Sequence, residues 1–158
     1  MDTKFGPILL KDEAATAAFA QSIAAISDVG DVILLVGDIG AGKSFFSRQF
    51  ILSVLPFPED VPSPTFTLVQ TYNARNFEIW HCDLYRLNDL NDAIELGLDD
   101  AFEAAVCLIE WPDRLGSEAP KSAVTLSFST VSQTTRQVTA RFDNPKWAKL
   151  ETIFDEYA

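Results

Sequence analysis

Val32-Ile33-Leu34-Leu35-Val36-Gly37-Asp38-Ile39-Gly40-Ala41-Gly42-Lys43-Ser44 is the stretch that decides the fold. Its first five residues are apolar and read as a buried strand. Gly37-x4-Gly42-Lys43-Ser44 then supplies the Walker A spacing. A helix is expected from Lys43 to about Leu55, halted by Pro56 and Pro58. The spacing has a physical reason. Gly37, Gly40 and Gly42 let the backbone curl until successive N–H groups point at phosphate oxygens. The helix N-terminus adds the positive end of its dipole. Lys43 offers a mobile cation to the β- and γ-phosphates, and the Ser44 hydroxyl a ligand for magnesium. This loop therefore predicts a bound nucleoside triphosphate with Mg2+.

Working outward, Asp12 can cap a helix through about Ile26. Val61-Pro62-Ser63-Pro64-Thr65 reads as a loop, because two prolines forbid regular pairing. Phe66–Tyr72 and Phe77–Asp83, joined by Asn73-Ala74-Arg75-Asn76, read as a hairpin. Asp89–Leu96 and Asp99–Ala104 read as short helices broken at Gly97, and Ala105–Ile109 as another buried strand. Val124–Ser129 and Arg136–Phe142 alternate in polarity and suggest a second antiparallel pair, before a last helix opened by Asn144 or Pro145. Strand, loop and helix, followed by a second buried strand, give an α/β domain with a mixed sheet.

A triphosphate loop needs an acidic residue opposite Ser44, at the end of a neighbouring strand. Glu110 follows Val106-Cys107-Leu108-Ile109 and is the leading candidate to hold magnesium or orient the attacking water. Asp83, in His81-Cys82-Asp83-Leu84-Tyr85-Arg86, is the other, with a structural pairing to Arg86 as its alternative. His81 reads as a hydrogen-bonded structural histidine before a general base. Thr65 stands where a mobile loop would sense the γ-phosphate, or simply in a stiffened turn. Trp111 is divided between packing over the site, a protein interface and the core.

Composition bounds the rest. The 158 residues are 47% hydrophobic and 22% charged, with a net charge of −11 from 12 basic and 23 acidic residues. An acidic chain is a poor free-standing nucleic-acid binder, which needs a basic footprint to displace counterions. No apolar run approaches the roughly 20 residues of a membrane helix. Met1-Asp2-Thr3-Lys4-Phe5 does not open a secretory signal, so a cytoplasmic location with no membrane partner is expected. Cys82 and Cys107 lack zinc-ligand spacing and read as buried reduced thiols.

Five segments come in a telling order: Gly-Asp-Ile-Gly-Ala-Gly-Lys-Ser at 37–44, Ser-Pro-Thr-Phe-Thr-Leu-Val at 63–69, His-Cys-Asp-Leu-Tyr-Arg-Leu at 81–87, Glu-Leu-Gly-Leu at 95–98 and Ile-Glu-Trp-Pro at 109–112. Together they resemble the TsaE (YjeE) family, the bacterial ATPases of tRNA threonylcarbamoyladenosine synthesis. The resemblance covers about residues 8–142. It implies a P-loop NTPase-like three-layer α/β fold over residues 1–158, with a mixed, mainly parallel sheet and added antiparallel hairpins. It implies weak ATP hydrolysis with Mg2+, in support of TsaB-like and TsaD-like partners that modify adenosine 37 of tRNAs reading codons that start with A. The tRNA would be met indirectly, through that complex.

The resemblance also carries residues. Gly40, Ala41, Gly42, Lys43, Ser44 and Phe45 match the phosphate-binding stretch. Ser44 and Glu110 match the magnesium side, and Asp83 the acid of a switch-like segment. Glu13 and Thr16 match a Glu-x-x-Thr on the adenine side, and Arg136 a basic residue that reaches the nucleotide. Thr-Thr is frequent in the family where this chain has Ser44-Phe45; serine keeps the hydroxyl. The residues leave two other classes open. A small-metabolite kinase needs a lid of arginines, whereas the six here (48, 75, 86, 114, 136, 141) are scattered. A nucleotide-dependent binding module would show no turnover at all.

Overall fold

Residues 32–35 and 106–109 are all buried, with neighbours on both faces, as the central strands of a parallel sheet require. In the computed structural model, which describes residues 2–157, they form β2 (Val32–Val36) and β5 (Val106–Glu110). The other strands are β1 (Thr3–Leu10), β3 (Val69–Asn73), β4 (Glu78–Asp83), β6 (Val124–Thr130) and β7 (Arg136–Phe142). Their order across the sheet is β1-β7-β6-β2-β5-β4-β3. The four central strands, β6, β2, β5 and β4, run parallel. Antiparallel pairings add β7 and β1 at one edge and β3 at the other.

Alternate residues of a strand face opposite sides, and the two cores follow that parity. Ile33, Leu35, Val106 and Leu108 meet α1 (Glu13–Ala25) and α2 (Lys43–Val54) through Phe19, Ile23, Phe46 and Phe50. Val32, Leu34, Cys107 and Ile109 meet α3 (Leu90–Glu95) and α4 (Leu98–Ala104) through Ala93, Leu98 and Ala101. The result is the expected three-layer α/β arrangement. Asp12 caps α1 by accepting a hydrogen bond from the Ala15 amide at 2.8 Å. Gly97 separates α3 from α4 in a left-handed conformation, φ 86°. Among the described residues, no helix is long and apolar enough to cross a membrane.

Three elements differ from the sequence reading. Phe66–Leu68 is not strand; β3 begins at Val69. Leu68 has φ 66°, which breaks extended pairing just after the proline-stiffened loop. The N-terminal residues, unassigned from sequence, form β1, whose register shifts between Phe5 and Ile8 around Gly6-Pro7. The C-terminal segment is a 3-10 helix at Pro145–Leu150 followed by α5 (Glu151–Asp155). Trp147 and Phe154 complete the α1–α2 core. Trp147 donates its indole N–H to the Ser122 carbonyl at 2.7 Å. Lys146 and Lys149 reach the buried Asp31 at 3.1 and 2.7 Å, which ties this segment to the start of β2.

Phe46 stands directly behind the glycine loop, fully buried among Phe19, Phe50 and Phe128, with centroids 5.4–6.2 Å away. Phe46→Ala removes this payload and leaves a cavity. The expected loss is about 3–5 kcal/mol of unfolding free energy, read as a lower urea midpoint at unchanged slope.

Candidate functional site

β2 leads into the loop at Gly37, where β6 comes very close. A Cβ there would lie 2.5 Å from the Phe128 carbonyl oxygen, so only glycine fits. Gly42, at φ 107°, precedes α2 with the Arg136 side chain packed over it. The Ala41 methyl is buried in the core, and its amide donates to the Asp38 carbonyl at 3.0 Å. Lys43 folds back across the loop. Its ammonium donates to the Gly37 carbonyl at 2.6 Å and sits 3.8 Å from the centroid of the Trp111 ring. Burial holds the Lys43 pKa below its ordinary value, while the carboxylates of Glu110, Asp83, Asp38 and Asp113 push the other way.

The acidic residues come from the neighbouring strands. Parallel register sets Asp83 opposite Glu110, and Glu110 opposite Leu35. Strand parity turns His81, Asp83 and Glu110 to the face covered by α2. Glu110 is the last residue of β5 rather than the one after it, and is 2% exposed. Its Oε1 accepts from the Ser44 hydroxyl at 3.0 Å, and its Oε2 lies 2.9 Å from His81 Nε2. Asp83 is held differently. Its Oδ1 accepts from the Tyr85 amide at 3.1 Å, and its Oδ2 from the Thr65 hydroxyl at a long 3.4 Å. Thr65 Oγ1 also lies 2.9 Å from Ser63 Oγ. Asp83 is thus coupled to the 61–68 loop, and Glu110 to the phosphate loop. Arg86 lies over the Phe66 ring, 4.8 Å from its centroid, and among the described residues forms no ion pair with Asp83.

A cavity of about 500 Å³ opens over these groups, within the range of small-molecule sites. Lys43, Ser44, Thr65, Asp83 and Glu110 line it. Glu13 and Thr16 from α1, Phe45 from α2, and Gly40, Gly42 and Arg136 line it as well. Arg136 reaches the Gly40 carbonyl at 3.4 Å. The candidate residues other than Gly37, Ala41 and His81 therefore surround one cavity. Of the six arginines, only Arg86 and Arg136 line it.

Tyr85, Gln133 and Thr134 also line the cavity, and sequence reading did not single them out. Gln133 and Thr134 sit in the β6–β7 turn, where polar residues look like any hairpin turn. That turn is pinned to the start of α1 by the Thr135 hydroxyl, which donates to the Lys11 carbonyl at 2.9 Å. Trp111, named from sequence with its role open, packs against Lys43 and, with centroids 4.9 Å apart, against Tyr85. It does so from a left-handed backbone, φ 58° and ψ 53°, which a non-glycine residue adopts only at a cost.

Magnesium suits this donor set. The Ser44 hydroxyl and the Glu110 carboxylate are hard oxygen ligands. Cys82 and Cys107 are free, buried and on the opposite face, and burial pushes the Cys107 thiol up to about 12. Among the described residues, no three His, Cys, Asp or Glu side chains could hold a metal by themselves. The fit is to an ion that shares its coordination with phosphate oxygens.

The family model for threonylcarbamoyl adenosine biosynthesis protein TsaE matches residues 10–138. The chain is 42% identical over 105 residues to the tRNA threonylcarbamoyladenosine biosynthesis protein TsaE of Rickettsia bellii, spanning 66% of this chain and 73% of that protein. It is 34% identical over 125 residues to the same-named protein of Treponema pallidum, spanning 78% and 91%. The crystal structure of Bacillus subtilis YdiB matches with a TM-score of 0.77 at 26% identity, covering 99% of this chain and 95% of that one.

The backbone at 111 gives a test of the site's construction. Trp111→Gly and Trp111→Ala both delete the ring over Lys43, but only glycine enters the left-handed region freely. The glycine variant is expected to be the more stable by about 1 kcal/mol in equilibrium denaturation. Equal stabilities would show that this backbone relaxes once the ring is gone.

Proposed function

The chain belongs to the TsaE family of tRNA threonylcarbamoyladenosine biosynthesis, and on that premise we propose that it is a P-loop ATPase. As a single domain it binds ATP with Mg2+ and hydrolyses it slowly. In the cytoplasm it supports TsaB-like and TsaD-like partners in forming N6-threonylcarbamoyladenosine at position 37 of tRNAs that read codons starting with A. The observation that carries this reading is the Ser44 hydroxyl, at the first turn of α2, bonded to the buried Glu110 carboxylate beside Lys43.

The residues divide the work as follows. The loop at 37–44 and the N-terminus of α2 receive the β- and γ-phosphates, and Lys43 exchanges the Gly37 carbonyl for a phosphate oxygen. Ser44 and Glu110 would hold magnesium, which when bound neutralises charge on the β- and γ-phosphates. Glu13, Thr16 and Arg136 also line the cavity, and in this reading they take the nucleoside. Both Glu110 oxygens are engaged, whereas the bond from Thr65 to Asp83 is long. Asp83 is therefore the freer carboxylate to accept a hydrogen bond from the attacking water, whose oxygen bonds to the γ-phosphorus as the bridging P–O bond breaks. Asp83's link to Thr65 in the 61–68 loop ties the alignment of the water to the placement of that loop, a point at which partners can act on turnover.

Phosphate release from the wild-type chain is expected to rise when the TsaB-like and TsaD-like partners are added. Glu110→Gln should keep nucleotide affinity and lose that release. Turnover at the wild-type rate in this variant would make Glu110 structural. Lys43→Ala removes a charge-assisted hydrogen bond contributing about 1.5–3 kcal/mol, so calorimetry should show ATP affinity reduced roughly 10- to 100-fold. Unchanged affinity would overturn the phosphate-loop assignment.

A further inference from the structure

We propose that His81 is the positioning residue of Glu110, fixing which carboxylate oxygen is presented to the metal side of the site. The inference rests on the magnesium-dependent ATPase reading and assigns a function to a histidine that this reading does not use.

His81 is buried on β4, and its Nε2 lies 2.9 Å from Glu110 Oε2. The carboxylate can only accept in this contact, so Nε2 carries the hydrogen. The other ring nitrogen is Nδ1. It is buried and has no hydrogen-bond partner among the described residues. A buried imidazole with one nitrogen unpartnered is a costly way to fill space that leucine would fill without loss. Packing does not account for it, whereas the bond to Glu110 does.

The two oxygens of a glutamate are chemically equivalent, and the terminal torsion that exchanges them is soft. Ser44 alone would hold one oxygen and leave the plane of the carboxylate loosely defined. A second donor on Oε2 fixes that plane. It also removes Oε2 from competition, so Oε1, the oxygen shared with Ser44, is the one available to the ion. Metal ligands held in this way by an outer hydrogen bond bind more tightly and act faster, and loss of the outer partner typically costs a factor of ten to a hundred. The strands support the geometry. His81 is opposite Leu108 and Asp83 is opposite Glu110 in the parallel β4–β5 ladder, so imidazole and carboxylate lie on one face, two register positions apart on the diagonal.

The test compares His81→Leu, which keeps bulk and loses the donor, with His81→Gln, whose amide can stand in for the Nε2 donor. Binding of a non-hydrolysable ATP analogue is measured without divalent metal by calorimetry. Mn2+ binding to the analogue complex is measured by electron paramagnetic resonance, and phosphate release with partners present. The leucine variant should bind the analogue without metal as the wild type does. Its Mn2+ affinity and phosphate release should fall roughly ten- to a hundredfold, and the glutamine variant should recover most of both. Wild-type Mn2+ affinity in the leucine variant would overturn the proposal. So would equal impairment of the two variants, which would make His81 a packing residue. If the leucine variant melts too early to be assayed, the glutamine variant decides: it must retain Mn2+ affinity and turnover, and a loss of either overturns the proposal. A wild-type chain that binds no ATP would instead overturn the functional reading, and the assignment of His81 with it.

Discussion

A carboxylate that ends a central strand at 2% exposure must be met by donors, or the fold carries an uncompensated buried charge. In this chain the donors to Glu110 come from two other elements, Ser44 on α2 and His81 on β4. Both have to be brought to the same sheet edge. Parallel pairing of β2, β5 and β4 does so, because it places all three carboxyl ends together and turns His81, Asp83 and Glu110 toward α2. The glycine loop then has one task, to bend from the end of β2 to the start of α2 within the space that β6 leaves. The 2.5 Å clearance at Gly37 measures how little space that is. Strain gathers close by. Trp111 and Leu68, the two described non-glycine residues with positive φ, flank the site at the end of β5 and the start of β3.

Much of this was legible in the sequence, for physical reasons that also explain the gaps. Val32–Val36 and Val106–Glu110 are continuous apolar runs, and a run bounded by turn residues signals a buried strand without help from the rest of the chain. The loop at 37–44 announces itself because phosphate cradling demands glycines and a lysine at fixed spacing. β1 gave no such signal. Thr3–Leu10 holds Gly6-Pro7 in its middle, and its pairing to β7 depends on a register shift that only the partner strand defines. Phe66–Leu68 looked like strand because Phe, Thr and Leu suit one. The left-handed Leu68, and the Asp83 amide donating to its carbonyl, are tertiary facts that propensity cannot carry.

The site divides along the same line. Lys43, Ser44, Asp83 and Glu110 were visible because strand ends and a phosphate loop fix their places. Gln133 and Thr134 were not, because a hairpin turn becomes a cavity wall only when Thr135 ties it to the start of α1. The bond from His81 to Glu110 was equally hidden. It spans 29 residues of chain and exists only through the β4–β5 register. Trp111 could be named from its position after Glu110, but its place over Lys43 depends on a backbone conformation that no neighbouring glycine announces.

The net charge of −11 and the proposed triphosphate ligand look incompatible until the charges are placed. Around the cavity, Lys43, Arg86 and Arg136 stand against Glu13, Asp83 and Glu110, so the lining is formally neutral on an acidic chain. Backbone N–H groups and the N-terminus of α2 then tip the local field positive. These contacts act over a few ångströms in a partly enclosed cleft, where salt screens them little. The surplus acidic charge acts from the surface, over a reach of about 8–10 Å at physiological salt. A compact polyanion can enter the first field without meeting much of the second. An extended one, such as a nucleic acid laid along the surface, meets mostly repulsion. In the proposed function that asymmetry places the tRNA on the partner proteins and leaves this chain to answer to the nucleotide alone.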